Sequence, residues 1–98
     1  MSKAMTREEK AYVSRAIALG CALCRHLGLG ESPGEWHHAR TGVGAGKRGP
    51  HKRGFPLCPP HHRTSNDALH VCGRRAWERR FGVTEMQFVE QTERLIEV

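Results

Sequence analysis

The chain has 98 residues, a formal net charge of +6, four cysteines, seven histidines and only six aromatic residues: three Phe, two Trp and one Tyr. That length allows one domain, residues 1–98, and so few large apolar side chains bury a modest core that a structural metal would reinforce. No apolar run approaches the ~20 residues that span a bilayer, and the charged start, MSKAMTREEKAY, has no signal-peptide core, so a cytoplasmic protein without membrane partners is expected, its cysteines ligands or buried thiols.

Taken in chain order, Thr6 and Glu9 fit a capping box, and Tyr12, Val13, Ala16 and Ile17 form an apolar stripe at helical spacing. A helix is expected over residues 7–19, stopped by Gly20. CALC (21–24) follows as a turn and EWHHA (35–39) as an extended piece. The Gly-rich segment RTGVGAGKRGPHKRG (40–54) reads as a mobile basic loop. FPLC (55–58) is a second extended piece that runs through Pro59 and Pro60 into a helical turn. CGRRAWERRFG (72–82) makes a short helix closed by Gly82, on which Trp77 and Phe81 face the core. Thr84 and Gln87 repeat the capping pattern before a last helix over 85–96.

Charge is segregated along this order. No acidic residue lies between Glu35 and Asp67, while Arg40, Lys47, Arg48, Lys52, Arg53 and Arg63 do, and Arg74, Arg75, Arg79 and Arg80 follow. A one-sided basic surface suits a polyanion, and nucleic acid is the expected partner. Asp67 is the sole aspartate, which disfavours nucleases that hold metals with clustered Asp; a catalytic metal here must lean on His, Cys or Asn.

Two constellations carry chemistry. Cys21-x-x-Cys24 is one half of a metal knuckle, and Cys58-x-x-His61 has the spacing of the other; Cys72 and His26 compete for the fourth place. The alternatives are buried thiols or a redox Cys-x-x-Cys, which lacks its βαβ context. A structural Zn2+ is therefore expected on Cys21, Cys24, Cys58 and His61. The second constellation is His37, His38, His51, His62 and His70. Adjacent residues diverge on a strand or a helix, so each His-His doublet can serve two sites, His61 facing the first ion and His62 another. Five histidines in an acid-free, arginine-rich setting suit metal-assisted phosphodiester cleavage, because imidazole can both ligate and act as a base near neutrality.

These residues also carry a resemblance. CALC, EWHHAR and HKRGFPLCPPHH, in that order, resemble the HNH endonucleases of the ββα-metal class. The tail HHRTSNDALHVCGRRAWERRFG is similar to the phage-type recombination-enhancement (Ref-like) nucleases, where Pro-Leu-Cys-x-x-His-His is followed by a His and a Gly-Arg-Arg-Ala-Phe-Glu-like helix. It covers most of residues 18–82. It implies an α+β fold: a small zinc-stapled domain with a ββα-metal core flanked by N- and C-terminal helices. It further implies a metal-dependent DNA endonuclease in which His38 is the general base and His37, His62 and His70 hold the catalytic ion (Mg2+, Mn2+ or Zn2+). Asn66, at i+4 from His62, is the rival of His70. The family's middle position is often Asn; no Asn precedes Leu57, and His51 is the candidate there. DNA, with a recombinase filament, is the implied partner. Arg40, Lys47, Arg48, Lys52, Arg53, Arg74 and Arg75 are the expected phosphate contacts. The competing reading is a zinc-containing DNA-binding module without catalysis, which would bind without nicking.

Overall fold

The computed structural model describes residues 4–44 and 49–97. Lys47 and Arg48, expected on the phosphate track, lie outside the described residues.

Helix α1 spans Arg7–Ile17 and opens on the expected capping box: Thr6 Oγ1 accepts from the Glu9 amide at 3.1 Å, and Glu9 Oε1 accepts from the Thr6 amide at 2.8 Å. It ends two residues before the expected boundary, and the chain then turns at Gly20, whose φ of +82° favours glycine. CALC is not a bare turn. Cys21 caps a short helix α2, Ala22–His26, its sulfur accepting from the Cys24 amide at 3.4 Å. One helical turn thereby brings the Cys21 and Cys24 sulfurs to the same side.

The expected extended pieces pair as antiparallel strands, β1 (Glu35–His38) and β2 (Gly54–Leu57). The register sets Glu35 against Leu57, Trp36 against Pro56, His37 against Phe55 and His38 against Gly54. Pro56 is tolerated because a two-stranded sheet leaves each strand an outer edge, where no amide need donate. Pleating turns His37 inward, 1 % exposed, while His38 is half-buried. Strand β2 is buried along its whole length, and α1, α2 and the C-terminal helix pack against it.

Beyond β2, Pro60–Thr64 form a π-helical turn in which the Ser65 amide donates to the Pro60 carbonyl at 3.2 Å. Two helices replace the one expected over 72–82: α3 (Leu69–Cys72) and α4 (Arg74–Phe81), separated by Gly73 at φ +91°. Gly82 closes α4 in the left-handed conformation as expected. Helix α5, Glu85–Glu97, starts with the reciprocal Thr84–Gln87 hydrogen bonds, 2.8 and 3.1 Å.

The core gathers Leu23, Phe55, Leu57, Trp77, Phe88 and Val89. Phe55 stacks on Trp77 with centroids 6.4 Å apart and meets Phe88 at 5.3 Å. Trp77 is fully buried, while Phe81 packs at the rim. The molecule is thus a small α+β arrangement in which a β-hairpin and the π-helical turn lie between N- and C-terminal helices. Among the described residues, no helix is long and apolar enough to cross a membrane.

Candidate metal centres

Cys21, Cys24, Cys58 and His61 converge on one point. Their sulfurs and the His61 Nδ1 are separated by 3.8 Å (Cys24–Cys58), 3.8 Å (Cys21–His61), 3.5 Å (Cys24–His61) and 3.2 Å (Cys58–His61). A tetrahedral ion with bonds of ~2.3 Å to sulfur and ~2.0 Å to nitrogen has edges of about 3.5–3.8 Å. The donor set and its spacing therefore fit a soft, four-coordinate cation. Burial pushes the Cys21 thiol up to about 12, which leaves it protonated in a cation-free cluster. Ser32 Oγ donates to Cys24 Sγ at 3.1 Å, supporting that sulfur from outside. Neither rival for the fourth place reaches the cluster. His26 Nε2 donates to the Phe81 carbonyl at 3.1 Å, and Cys72 Sγ faces the Asp67 carbonyl at 3.7 Å.

The second centre is built from the other member of each doublet. His37 Nδ1 lies 3.2 Å from His62 Nε2, which lies 2.9 Å from His70 Nε2, and the three nitrogens form a group able to hold an ion. β1 supplies His37, the π-helical turn His62 and α3 His70. Asn66 lines a surface cavity with Asp67, Cys72, Ala76 and Arg80.

Two carboxylates stand behind the imidazoles. Glu85 Oε2 is 2.5 Å from His37 Nε2, and Glu35 Oε1 is 2.6 Å from His62 Nδ1. An ionised carboxylate only accepts, so His37 carries its proton on Nε2 and His62 on Nδ1. The ring nitrogens left facing each other, His37 Nδ1 and His62 Nε2, then both present lone pairs at 3.2 Å. Two acceptors at that distance repel unless a cation lies between them. This is the arrangement that carboxylate–histidine pairs impose on metal sites.

Electrostatics agree with it. Burial lowers the His37 pKa against the pull of Glu85, and burial followed by the charges of His62 and His37 lowers that of His70, so both rings favour the neutral, ligating form. Burial opposes ionisation of Glu85, but hydrogen bonds from His37 and Thr41 outweigh it and hold the carboxyl below its ordinary range. Glu35 is held low first by Arg63, whose Nε donates at 2.7 Å, and then by His62.

Glu35, Glu85 and Ser32 escape a reading of motifs alone. Glu35 left a usable signal: it stands two residues before His37 and so shares its face of the strand. Glu85 left none that is local, since it reaches His37 across 48 residues.

His38 and His51 meet through Nε2 and Nδ1 at 3.2 Å, and the His51 carbonyl accepts from Trp36 Nε1 at 2.8 Å. Trp36 also packs edge-on against Tyr12. The basic residues divide. Arg75 is exposed on α4, Arg53 Nη2 reaches Met86 Sδ at 3.5 Å, and Lys52 lies over the Tyr12 ring at 5.5 Å. Arg74 pairs with Glu78 at 2.9 Å, and Arg40 Nη2 reaches the Gly44 carbonyl at 3.4 Å.

Fold and site thus define a small α+β protein with two groups of side chains that could each hold a metal ion. Residues 5–96 match the family described as recombination enhancement, RecA-dependent nuclease, and the chain belongs to that family. A nuclease role connected with recombination follows. No curated protein and no solved structure matches the chain.

Proposed function

We propose that the protein is a divalent-metal-dependent DNA endonuclease of HNH type, its nuclease domain formed by residues 1–98 around a ββα-metal core at about 18–82. The observation that carries this reading is the convergence of His37 Nδ1, His62 Nε2 and His70 Nε2, two of them oriented by carboxylates, in a chain of a nuclease family. Zn2+ on Cys21, Cys24, Cys58 and His61 ties α2 to the end of β2 and is structural.

His37, His62 and His70 would hold a divalent cation, which would supply positive charge to offset the negative charge developing on the scissile phosphate. His38 takes the proton from the attacking water. Its Nε2 lies 3.2 Å from His51 Nδ1, and that contact orients the ring for the transfer. The water oxygen forms the new bond to phosphorus while the bond to the 3′-oxygen breaks. The 5′-phosphate is retained and the 3′-oxygen leaves as a hydroxyl after taking a proton from solvent. Arg40, Lys47, Arg48, Lys52, Arg53 and Arg75 contact the phosphates and position the strand without reading bases. Arg74, paired with Glu78, contributes less. A recombinase filament is the partner that presents the DNA, in line with the family's description.

Nicking of supercoiled plasmid, and cleavage of recombinase-coated DNA, with Mg2+ or Mn2+ tests the proposal. Cleavage that EDTA abolishes is expected. Salt-dependent binding with no cleavage in any metal or DNA form would instead make the chain a zinc-containing DNA-binding module.

A further inference from the structure

Glu85 is the most completely used side chain in the described structure. It is fully buried, and its two oxygens accept from four donors: His37 Nε2 at 2.5 Å, the Arg40 amide at 2.8 Å, the Thr41 amide at 2.9 Å and Thr41 Oγ1 at 2.8 Å. Oε1 accepts from Arg40 and Thr41, which leaves Oε2 to His37. Its position in the first turn of α5 favours the negative charge. Its own amide donates to Glu78 Oε2 at 2.8 Å, and Glu78 is paired with Arg74 on α4. Strand β1 and the start of the basic loop therefore meet α5 at the Glu85 carboxylate, and α4 meets it at the Glu85 amide.

We infer that Glu85 is a positioning residue of the histidine centre: it selects the tautomer of His37 that presents Nδ1 to a divalent cation and makes α5 part of the metal site. This rests on the reading of His37, His62 and His70 as one metal centre. Glu35 acts on His62 in the same sense but is more exposed and shared with Arg63, so the buried pair has the larger effect. A glutamine at position 85 would match the shape and invert the instruction. Its oxygen can still accept from Arg40 and Thr41, which turns its amide donor toward His37. His37 Nε2 must then accept, and the proton moves to Nδ1, the nitrogen that faces the cation.

The test is Mn2+ titration of the full chain with its zinc in place, read by the paramagnetic resonance of free Mn2+, for wild type, Glu85→Gln and His62→Ala. Zinc content reports the cysteine centre in each, and 15N shifts of the imidazoles report the His37 tautomer. The expected result is Mn2+ binding weakened about 10–100-fold in Glu85→Gln with zinc retained, and an Nε2–H His37 in the wild type. Wild-type affinity in Glu85→Gln beside lost affinity in His62→Ala would overturn the role of Glu85 while leaving the centre standing. So would an Nδ1–H His37 in the wild type, or loss of zinc from Glu85→Gln, which would make Glu85 a residue of the fold. Unchanged affinity in His62→Ala would remove the histidine centre itself.

Discussion

Glu85 and His37 bind protons less readily in the folded chain than their ordinary values of 4.5 and 6.5. Each depressed value means that the unfolded state takes up protons first as the pH falls. The stability contributed by His37 is therefore complete above 6.5 and is lost as the pH falls through the lower value of the folded ring. That of Glu85 is present above 4.5 and is lost in the same direction as its carboxylate protonates. Urea unfolding between about pH 7 and about pH 3, without added Mg2+ or Mn2+, should show stability declining on acidification, with a smaller slope below 4.5 in Glu85→Gln. Equal slopes in the two proteins would mean that this carboxylate does not bear on acid stability. At this scale the doublets were legible. Adjacent residues must diverge, and the structure sends His37 inward beside a half-buried His38, and sends His61 to the sulfurs and His62 to His37. The carboxylates were not legible as a group. An alternation rule could have found Glu35, but Glu85 is joined to His37 by tertiary packing alone.

The hairpin is the element on which the histidine centre hangs. Its register sets Gly54 opposite His38, where a Cβ would collide with the His37 carbonyl oxygen and lie 2.9 Å from the Trp36 ring. Gly54→Ala should cost about 1–3 kcal/mol, the range for forcing volume into a packed site. It should also disturb the strand that carries His37. Denaturant unfolding measures the first effect, and a stability unchanged from wild type would show that the hairpin gives way without cost. The strands and the outer helices were readable from period, capping boxes and glycine stops, because those signals are local. What was misread was short. CALC looked like a turn because nothing but its own cysteine caps the helix, and residues 72–82 looked continuous because a glycine inside a helical pattern does not announce a positive φ. The π-helical turn has no sequence period of its own, yet it is the element that aims His61 and His62 at different centres.

Over the whole molecule, the basic stretch and the two candidate metal groups answer different parts of the proposed function. The acid-free stretch from 36 to 66 carries the basic loop, and on the reading proposed here that loop tracks phosphates. Each phosphate neutralised contributes about −0.9 to the slope of log affinity against log salt. Replacing Lys52 and Arg53 together by alanine should flatten that slope by roughly 1.8 and weaken binding to all sequences alike. A slope unchanged in the double variant would move the phosphate track elsewhere, Arg75 being the exposed alternative on α4. Spacing alone suggested the cysteine centre, because knuckles are local pairs. The histidine centre needed the fold, since β1, the π-helical turn and α3 each supply one ring. The central claim is that this second centre, and not the first, cuts DNA. The measurement that tests it most directly is the single-turnover cleavage rate of His62→Ala and His38→Ala beside wild type, with zinc content and helicity checked in each. Both variants are expected to be folded and zinc-loaded and to cleave at least about 100-fold more slowly. Cleavage at the wild-type rate by either folded variant would contradict the claim.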